Sequence, residues 1–227
     1  MADKKLIKTY HFTVEGETEQ WYLFWLMEQI NKHENIKCKV SIKPIVQQSP
    51  RKFAKGITPK SVPFAIHLCD YESNEPCHQK KFLDILDQLK DSNGYYGKRF
   101  KYSLGYSNFT FELWMVLHKM DCNTSLANRT QYLSFINRAF DEHFEDLHHY
   151  KSEDCFKKCL SKLTISDVVC AIKRAKMIMK NNKDNGWHEV EYKGNKFYKD
   201  NPSLTIYQSV ERILMDCGII PKAKNKK

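Results

Sequence analysis

The first half of the chain alternates between strand-like and helix-like patterns of hydrophobic residues. Four runs are typical of β-strands: 6–14, 36–46, 62–69 and 98–104. Segments 17–30 and 76–90 instead place apolar residues at helical spacing, and Pro76 suits a first helical turn. Strands interleaved with helices predict an α/β fold, with a partly parallel sheet flanked by helices.

The second half is mainly helical in pattern. Helices are predicted over 111–118, 132–140, 166–179 and 203–217. Ser166-Asp167 is a candidate cap for the third of these, and Gly218 follows the last. Segment 189–198 predicts a hairpin that turns at Gly194-Asn195. We therefore expect two regions, a sheet-containing domain over 1–120 and a mainly helical region over 121–227 that ends in a basic tail.

Composition excludes several classes of protein. The chain has 227 residues, 41% of them hydrophobic, which is enough for an ordinary core and argues against disorder. No apolar stretch approaches the ~20 residues of a membrane helix, and the N-terminus does not resemble a signal peptide. We therefore expect a soluble cytoplasmic protein with no membrane partner. Its eight cysteines are scattered along the chain and are expected to be reduced thiols.

Positive charge is concentrated rather than uniform. The net charge is +10, and basic residues strongly outnumber acids in 31–60 and 157–183. Such stretches attract polyanions, so DNA or RNA is the expected partner. Arg51, Lys52 and Lys55, in a segment over 47–61 that resembles a loop, are the first candidates for phosphate contacts. The alternative, that these lysines form solvated surfaces, stays open.

Acidic residues follow two of the predicted strands. Glu15 ends the first strand, Gly16 permits a tight turn, and Glu19 lies in the first turn of the next helix. Asp70 and Glu72 follow the third strand and, if the chain stays extended, project to one side. Neighbouring carboxylates repel one another unless a hard cation such as Mg²⁺ lies between them. A metal site is therefore favoured for Glu15, Glu19 and Asp70, whereas a surface position is equally open for Glu72.

Three further motifs carry a family resemblance. The first is Glu15-Gly16-Glu17-Thr18-Glu19, the second runs from Ser107-Asn108-Phe109 through Phe111-Glu112-Leu113-Trp114 to Leu117-His118, and the third is Asn201-Pro202-Ser203. Together they resemble the RloB-like family. The strand-Glu-Gly-turn-helix unit followed by strand-Asp70-X-acid also resembles the Toprim domain of topoisomerases, primases and OLD-type nucleases. Phe-Glu-Leu-Trp is the most specific of these elements, because short glycine motifs often arise by chance.

The resemblance implies a Toprim-like fold and a metal-dependent endonuclease, a hydrolase of phosphodiester bonds in bacterial anti-phage defence or abortive infection. It also implies an AAA-type ATPase as a partner protein; whether the chain forms a homo-oligomer stays open. One or two Mg²⁺ or Mn²⁺ ions are then expected on five carboxylates: Glu15, Glu19, Asp70, Glu72 and Glu112. Glu15 would be the general acid or base, with Asp70 and Glu72 also in the catalytic set.

Basic residues are also needed for the implied chemistry. Lys98 is the candidate catalytic lysine, and with Arg99 and Lys101 it would clamp a phosphate or stabilise the leaving oxygen. Exposed lysines at a strand edge are the alternative. The alternative for Glu112 is a buried glutamate bonded to backbone amides. His118 is a candidate proton shuttle, with a structural histidine as the alternative.

One departure from the resemblance matters. The usual Toprim pair is Asp-X-Asp, whereas this chain reads Asp70-Tyr71-Glu72. The longer second side chain implies either a shifted metal or weaker catalysis. The sequence therefore leaves a second interpretation open, a catalytically weak nucleic-acid-binding or regulatory subunit that works with the ATPase.

Overall fold

A computed structural model of the chain describes residues 6–95 and 99–221. Its strands are β1 (Ile7–Val14), β2 (Lys39–Val46), β3 (Phe64–Asp70), β4 (Lys101–Asn108), β5 (Glu189–Tyr192), β6 (Asn195–Tyr198) and β7 (Ser203–Leu204). Its helices are α1 (Glu17–Lys32), α2 (Pro50–Lys55), α3 (Pro76–Tyr95), α4 (Glu112–Leu117), α5 (Tyr132–Phe140), α6 (Leu147–Tyr150), α7 (Glu153–Ser161), α8 (Ile165–Asp184) and α9 (Ile206–Cys217). A short 3-10 turn, Arg129–Gln131, precedes α5.

Five strands form the main sheet in the order β2-β1-β3-β4-β7. The first four are parallel, and only β7 is antiparallel to its neighbour. The register pairs Val14 with Leu68 and Asp70 with Ser107. Because parallel strands end at the same edge, the residues that follow β1, β3 and β4 meet there.

Helices cover both faces of this sheet, as its apolar strands require. Ile66 and Leu68 of β3 face a core built with α1, α4, α8 and α9. Ala65 and Cys69, which alternate with them, face a second core against α3. This two-sided burial explains why β3 reads as a nearly continuous apolar run.

The segment after β6 supports the end of β4. The side-chain amide of Asn108 donates to the backbone carbonyls of Tyr198, Lys199 and Asp200. Asn201 in turn exchanges hydrogen bonds with the backbone of Leu126. Through these two buried side-chain amides, the end of β4 is bonded to residues 198–200, and Asn201 is bonded to Leu126.

The predicted α/β class is confirmed, with a mostly parallel sheet flanked by helices and a mainly helical second half. Both predicted regions, 1–120 and 121–227, contribute to the sheet and to the larger core. The division between them stays a prediction. No helix in the described part of the chain is long and apolar enough to cross a membrane.

Four local predictions were wrong. The basic segment 47–61 contains helix α2, which Ser49 caps by accepting a hydrogen bond from the Lys52 amide. Thr164, rather than Ser166-Asp167, caps α8, with Asp167 as the reciprocal member of a capping box. The hairpin turns at Lys193 and Gly194, both at positive φ, one residue earlier than predicted. Residues 203–204 form β7, so the last helix starts only at Ile206.

Candidate metal centre

Glu15 and Asp70 meet at the carboxyl edge of the sheet. Oε2 of Glu15 accepts a hydrogen bond of 2.9 Å from the backbone amide of Asp70. Oε1 of Glu15 is buried and accepts no hydrogen bond, and Nζ of Lys81 lies 3.5 Å from it. Burial raises the pKa of Glu15 above its ordinary value, although the Asp70 amide and Lys81 oppose the shift. A carboxyl with this raised pKa is suited to accepting a proton.

Gly16 allows Glu19 to turn back toward this edge. A Cβ atom added at Gly16 would lie 3.1 Å from Oε2 of Glu19, closer than ordinary van der Waals contact. The same oxygen accepts a hydrogen bond of 3.0 Å from the hydroxyl of Thr18. Glu19 is only 6% exposed, and burial raises its pKa, with a further contribution from the charge of Glu112.

Thr110 links Asp70 to Glu112. Its hydroxyl oxygen lies 3.1 Å from Oδ2 of Asp70 and makes a short hydrogen bond with Oε2 of Glu112. The Thr110 hydroxyl has one proton and can donate only one of these two hydrogen bonds. For both to form, either Asp70 or Glu112 must carry a proton and donate the other. Asp70 suits this role: burial raises its pKa well above the ordinary value, and the charges of Glu19, Glu15 and Glu112 raise it further.

Lys151, just after α6, is the cation that faces Glu112, as Lys81 faces Glu15. Its Nζ lies 3.1 Å from Oε1 of Glu112, whose side chain is fully buried. Burial alone lowers the pKa of Lys151, but the nearby charges of Glu112, Asp70 and Glu19 outweigh burial and raise it. We define the carboxylate cluster as Glu15, Glu19, Asp70 and Glu112.

The donor set of the carboxylate cluster fits a hard divalent cation. All four groups offer carboxylate oxygens, which Mg²⁺ and Mn²⁺ prefer. Oε1 of Glu15 accepts no hydrogen bond, whereas Oε1 of Glu112 faces the ammonium of Lys151. In this conformation the oxygens are not drawn fully together. Among the described residues, three candidate ligand atoms lie within 4.8 Å of one another only at Glu75, Cys77 and His78.

Glu72 is oriented by a different set of contacts. It has φ of 64°, so the chain is not extended here and the argument that it projects beside Asp70 does not apply. Its carboxylate instead contacts Lys81 at 2.5 Å, His78 at 3.2 Å and Arg129 at 3.9 Å. Burial alone raises the pKa of Glu72, but these cations, Lys81 foremost, lower it overall. Its role as a metal ligand stays a prediction.

The predicted basic residues lie away from the carboxylate cluster. Lys101 begins β4 and pairs with Phe64, at the amino edge of the sheet, about 20 Å from the carboxyl edge at ~3.3 Å per residue. Arg99 precedes it and is exposed. Neither can clamp a phosphate at the cluster, so that prediction was wrong; contact with nucleic acid elsewhere stays a prediction. Lys98, the candidate catalytic lysine, lies outside the described residues.

Arg51, Lys52 and Lys55 lie on helix α2. All three side chains are exposed. Arg51 also forms an ion pair with Asp91 of α3. Their predicted contacts with nucleic acid are untested by this arrangement.

His118 is a structural histidine, the alternative that the sequence left open. Its ring lies between two hydrogen bonds, at 3.1 Å to the hydroxyl of Tyr22 and at 2.8 Å to the carbonyl of Trp114. Burial lowers its pKa to about 4, so it is neutral at physiological pH.

Sequence reasoning missed the residues that surround the acids. Lys81, Arg129, Thr110 and Lys151 reach the edge from four different parts of the chain. Only Thr110 had a usable signal, since it directly precedes the Phe-Glu-Leu-Trp segment. The others lie in polar stretches without a motif, and their role depends on tertiary packing.

Fold and site together define a class: a mixed α/β protein whose mostly parallel sheet holds buried carboxylates at its carboxyl edge. Comparison with known families makes this more specific. The sequence model of a family described as RloB-like protein matches residues 10–213, so the chain belongs to the RloB-like family. Neither the curated proteins nor the solved structures contain a match to this chain.

Proposed function

We propose that this protein is a metal-dependent nuclease that hydrolyses phosphodiester bonds of DNA or RNA in the cytoplasm of bacteria, as part of anti-phage defence. The observation that carries the proposal is the carboxylate cluster. Glu19 and Glu112 are buried, and the half-buried Glu15 and Asp70 lie beside them. Burial raises the pKa of Glu15, Glu19 and Asp70. Buried acids that repel one another mark sites where a cation or a proton is handled.

The cluster would hold one or two Mg²⁺ or Mn²⁺ ions. A bound ion would supply positive charge for the pentavalent transition state and lower the pKa of a bound water. Glu15 would accept or return a proton at Oε1, the oxygen that no hydrogen bond occupies. Thr110 would hold Asp70 and Glu112 in fixed orientations through its hydroxyl.

The Toprim resemblance supports the same chemistry. The Glu-Gly turn after the first strand and the acid after the third strand both lie at the carboxyl edge, where ligands of parallel sheets bind. Glu72 is omitted from the proposed ligand set because Lys81, His78 and Arg129 surround its oxygens.

A second candidate function is a catalytically weak subunit that binds nucleic acid and acts with an AAA-type ATPase. The ion pair between Lys151 and Glu112 favours it, because the ammonium already neutralises one carboxylate of the cluster. Copurification with an AAA-type ATPase encoded beside this gene tests this alternative. Efficient cleavage by the isolated protein, without affinity for an ATPase, would exclude it.

The nuclease proposal is tested with panels of linear DNA, circular DNA and RNA, incubated with Mg²⁺ or Mn²⁺ and separately with EDTA. We expect metal-dependent cleavage by the wild type and its loss in Glu15→Gln and Asp70→Asn. Glu142→Gln is the matched control, since Glu142 is also a largely covered glutamate but pairs with Lys158 and Lys162. No cleavage of any substrate, or equal cleavage by Glu15→Gln and wild type, would exclude the proposal.

A further inference from the structure

Glu72 brings together basic side chains from separate parts of the chain. Lys81 and His78 belong to α3, whereas Arg129 belongs to the 3-10 turn before α5. All three reach the same carboxylate, whose side chain is only 17% exposed. The cationic side chains themselves are more open: Lys81 is 47% exposed and Arg129 is 57% exposed. They can therefore reach a ligand in solvent without unfolding.

The backbone holds Glu72 in place at some cost. A glutamate at φ of 64° is in the left-handed region, which side chains other than those of Gly, Asn and Asp seldom adopt. The amide of Glu72 donates a hydrogen bond of 2.9 Å to the carbonyl of Phe109, which fixes this conformation. Strained residues of this kind cluster at ligand-binding sites and switch regions.

Lys81 also adjoins the carboxylate cluster. Nζ of Lys81 lies 2.5 Å from Glu72 and 3.5 Å from Oε1 of Glu15. Glu15 and Lys81 line an open cleft of about 390 Å³, together with Gln48, Lys80 and Asp84. An anion held by Lys81 in this cleft is therefore next to the proposed proton-transfer group.

We propose that Lys81, Arg129 and His78 form a phosphodiester clamp and that Glu72 occupies this clamp as a substitute anion until nucleic acid binds. The proposal rests on the proposed function and names how the same site takes its substrate. A phosphodiester carries one negative charge and two unesterified oxygens, as a carboxylate does, so it replaces Glu72 without a change in the charge that the cations face. A terminal phosphate of a mononucleotide carries up to two charges and matches less well.

The test is the binding of a labelled single-stranded oligonucleotide in EDTA, where no cleavage occurs. Glu72→Gln removes the competing charge, and we expect it to tighten binding severalfold. Arg129→Met removes one phosphate contact, and we expect weaker binding with a slope of log K against log salt that is smaller by about 0.7. We expect Lys81→Met likewise to weaken binding and to reduce the salt slope.

The matched control is Glu189→Gln, which changes the net charge equally and releases Lys196 from its carboxylate, outside both basic stretches of the sequence. It should leave affinity within twofold of wild type. Equal tightening by both glutamine variants, no tightening by Glu72→Gln, or an unchanged salt slope in Arg129→Met would overturn the clamp. Glu72→Asn, which tolerates left-handed backbone, replaces Glu72→Gln if the latter does not fold.

A competition experiment identifies the form of phosphate. A mononucleotide, at the same concentration of phosphate groups, should fail to displace the oligonucleotide. Displacement would overturn the assignment to a polynucleotide backbone. Binding is measured without metal, so the clamp and the nuclease activity are tested separately. If the protein shows these affinity changes but cleaves nothing, the clamp is supported and only the proposed cleavage is excluded.

Discussion

The ammonium of Lys151 lies 3.1 Å from Oε1 of Glu112, a carboxylate with no exposed surface. The pair joins the start of α4 to the residue after α6. Asp70 and Glu19 are close enough for their charges to act on Lys151 as well. One lysine thus interacts electrostatically with three acids of the carboxylate cluster.

Replacing this lysine should destabilise the protein. Lys151→Met leaves Glu112 buried without its cation, and we expect a loss of about 1–3 kcal/mol in the free energy of unfolding. This lies between the values for exposed and fully buried pairs, since the Lys151 side chain is 38% exposed. Urea titration of Lys151→Met, Glu112→Gln and the double variant measures it. If the two single losses simply add, the pair contributes no coupling and the prediction fails.

The carboxylate cluster should make stability fall as pH rises in the absence of metal. Glu15, Glu19 and Asp70 have raised pKa values in the folded state, so the folded protein binds more protons than the unfolded chain above about pH 4. Their stabilisation is full below the unfolded pKa and is lost as pH rises through the folded pKa. Subtracting the pH profile of Asp70→Asn from that of wild type, both in EDTA, isolates one such group. A difference that grows with pH would contradict the assignment.

Metal binding should be visible as thermal stabilisation, independently of cleavage. A ligand that binds only the folded state at 100 times its Kd stabilises by about 2.7 kcal/mol. We expect Mn²⁺ to raise the Tm of wild type and of Glu142→Gln, and to leave that of Asp70→Asn unchanged. Differential scanning fluorimetry measures this, with EDTA as the reversal step. Equal shifts in all three proteins would place the ion elsewhere.

Helix α2 should contribute to the salt dependence of nucleic-acid binding. Replacing Arg51, Lys52 and Lys55 with alanine should reduce the slope of log K against log salt by about 0.9 for each lost contact with duplex DNA. Lys196→Ala, which removes an exposed lysine paired with Glu189 on the β5–β6 hairpin, serves as control. An unchanged slope in the triple variant would show that α2 is only a solvated surface.

Two glycines should respond to alanine in opposite directions. A Cβ at Gly105 of β4 would lie 2.6 Å from Cδ2 of Leu68, so Gly105→Ala should cost about 1–3 kcal/mol through overpacking. Gly94 in α3 has no neighbour within 4 Å of a built Cβ, so Gly94→Ala should gain up to about 1 kcal/mol in helix propensity. Chemical denaturation compares both with wild type. A gain at Gly105 would mean that β3 and β4 are less tightly packed than described.

The sheet could be predicted because β3 is a nearly continuous apolar run, β2 alternates between apolar and polar residues, and β1 is rich in β-branched and aromatic residues. The end of each run also located Glu15 and Asp70, since a polar residue marks where a buried strand reaches solvent. Helix α2, with six residues, and β7, with two, are too short to establish a period, so neither was predicted. Their formation depends on packing against α3 and pairing with β4.

The candidate site was only partly predictable for a different reason. Alternation along an extended chain placed Glu72 beside Asp70, but a single residue in the left-handed region turns its side chain toward Lys81. Lys151 is far from Glu112 in sequence, and no local pattern links them. The run of basic residues at 98–101 instead predicted a phosphate contact for Lys101, but the parallel register places Lys101 at the opposite edge of the sheet.

Asn108 has a consequence for how the protein is made. Its three carbonyl partners follow it by 90 to 92 residues. A ribosome releases residues in order, so Asn108 and the adjoining Phe109-Thr110 segment emerge well before the loop that anchors them. During synthesis the strand end beside Asp70 therefore stays without its final support until residues 198–200 have left the exit tunnel.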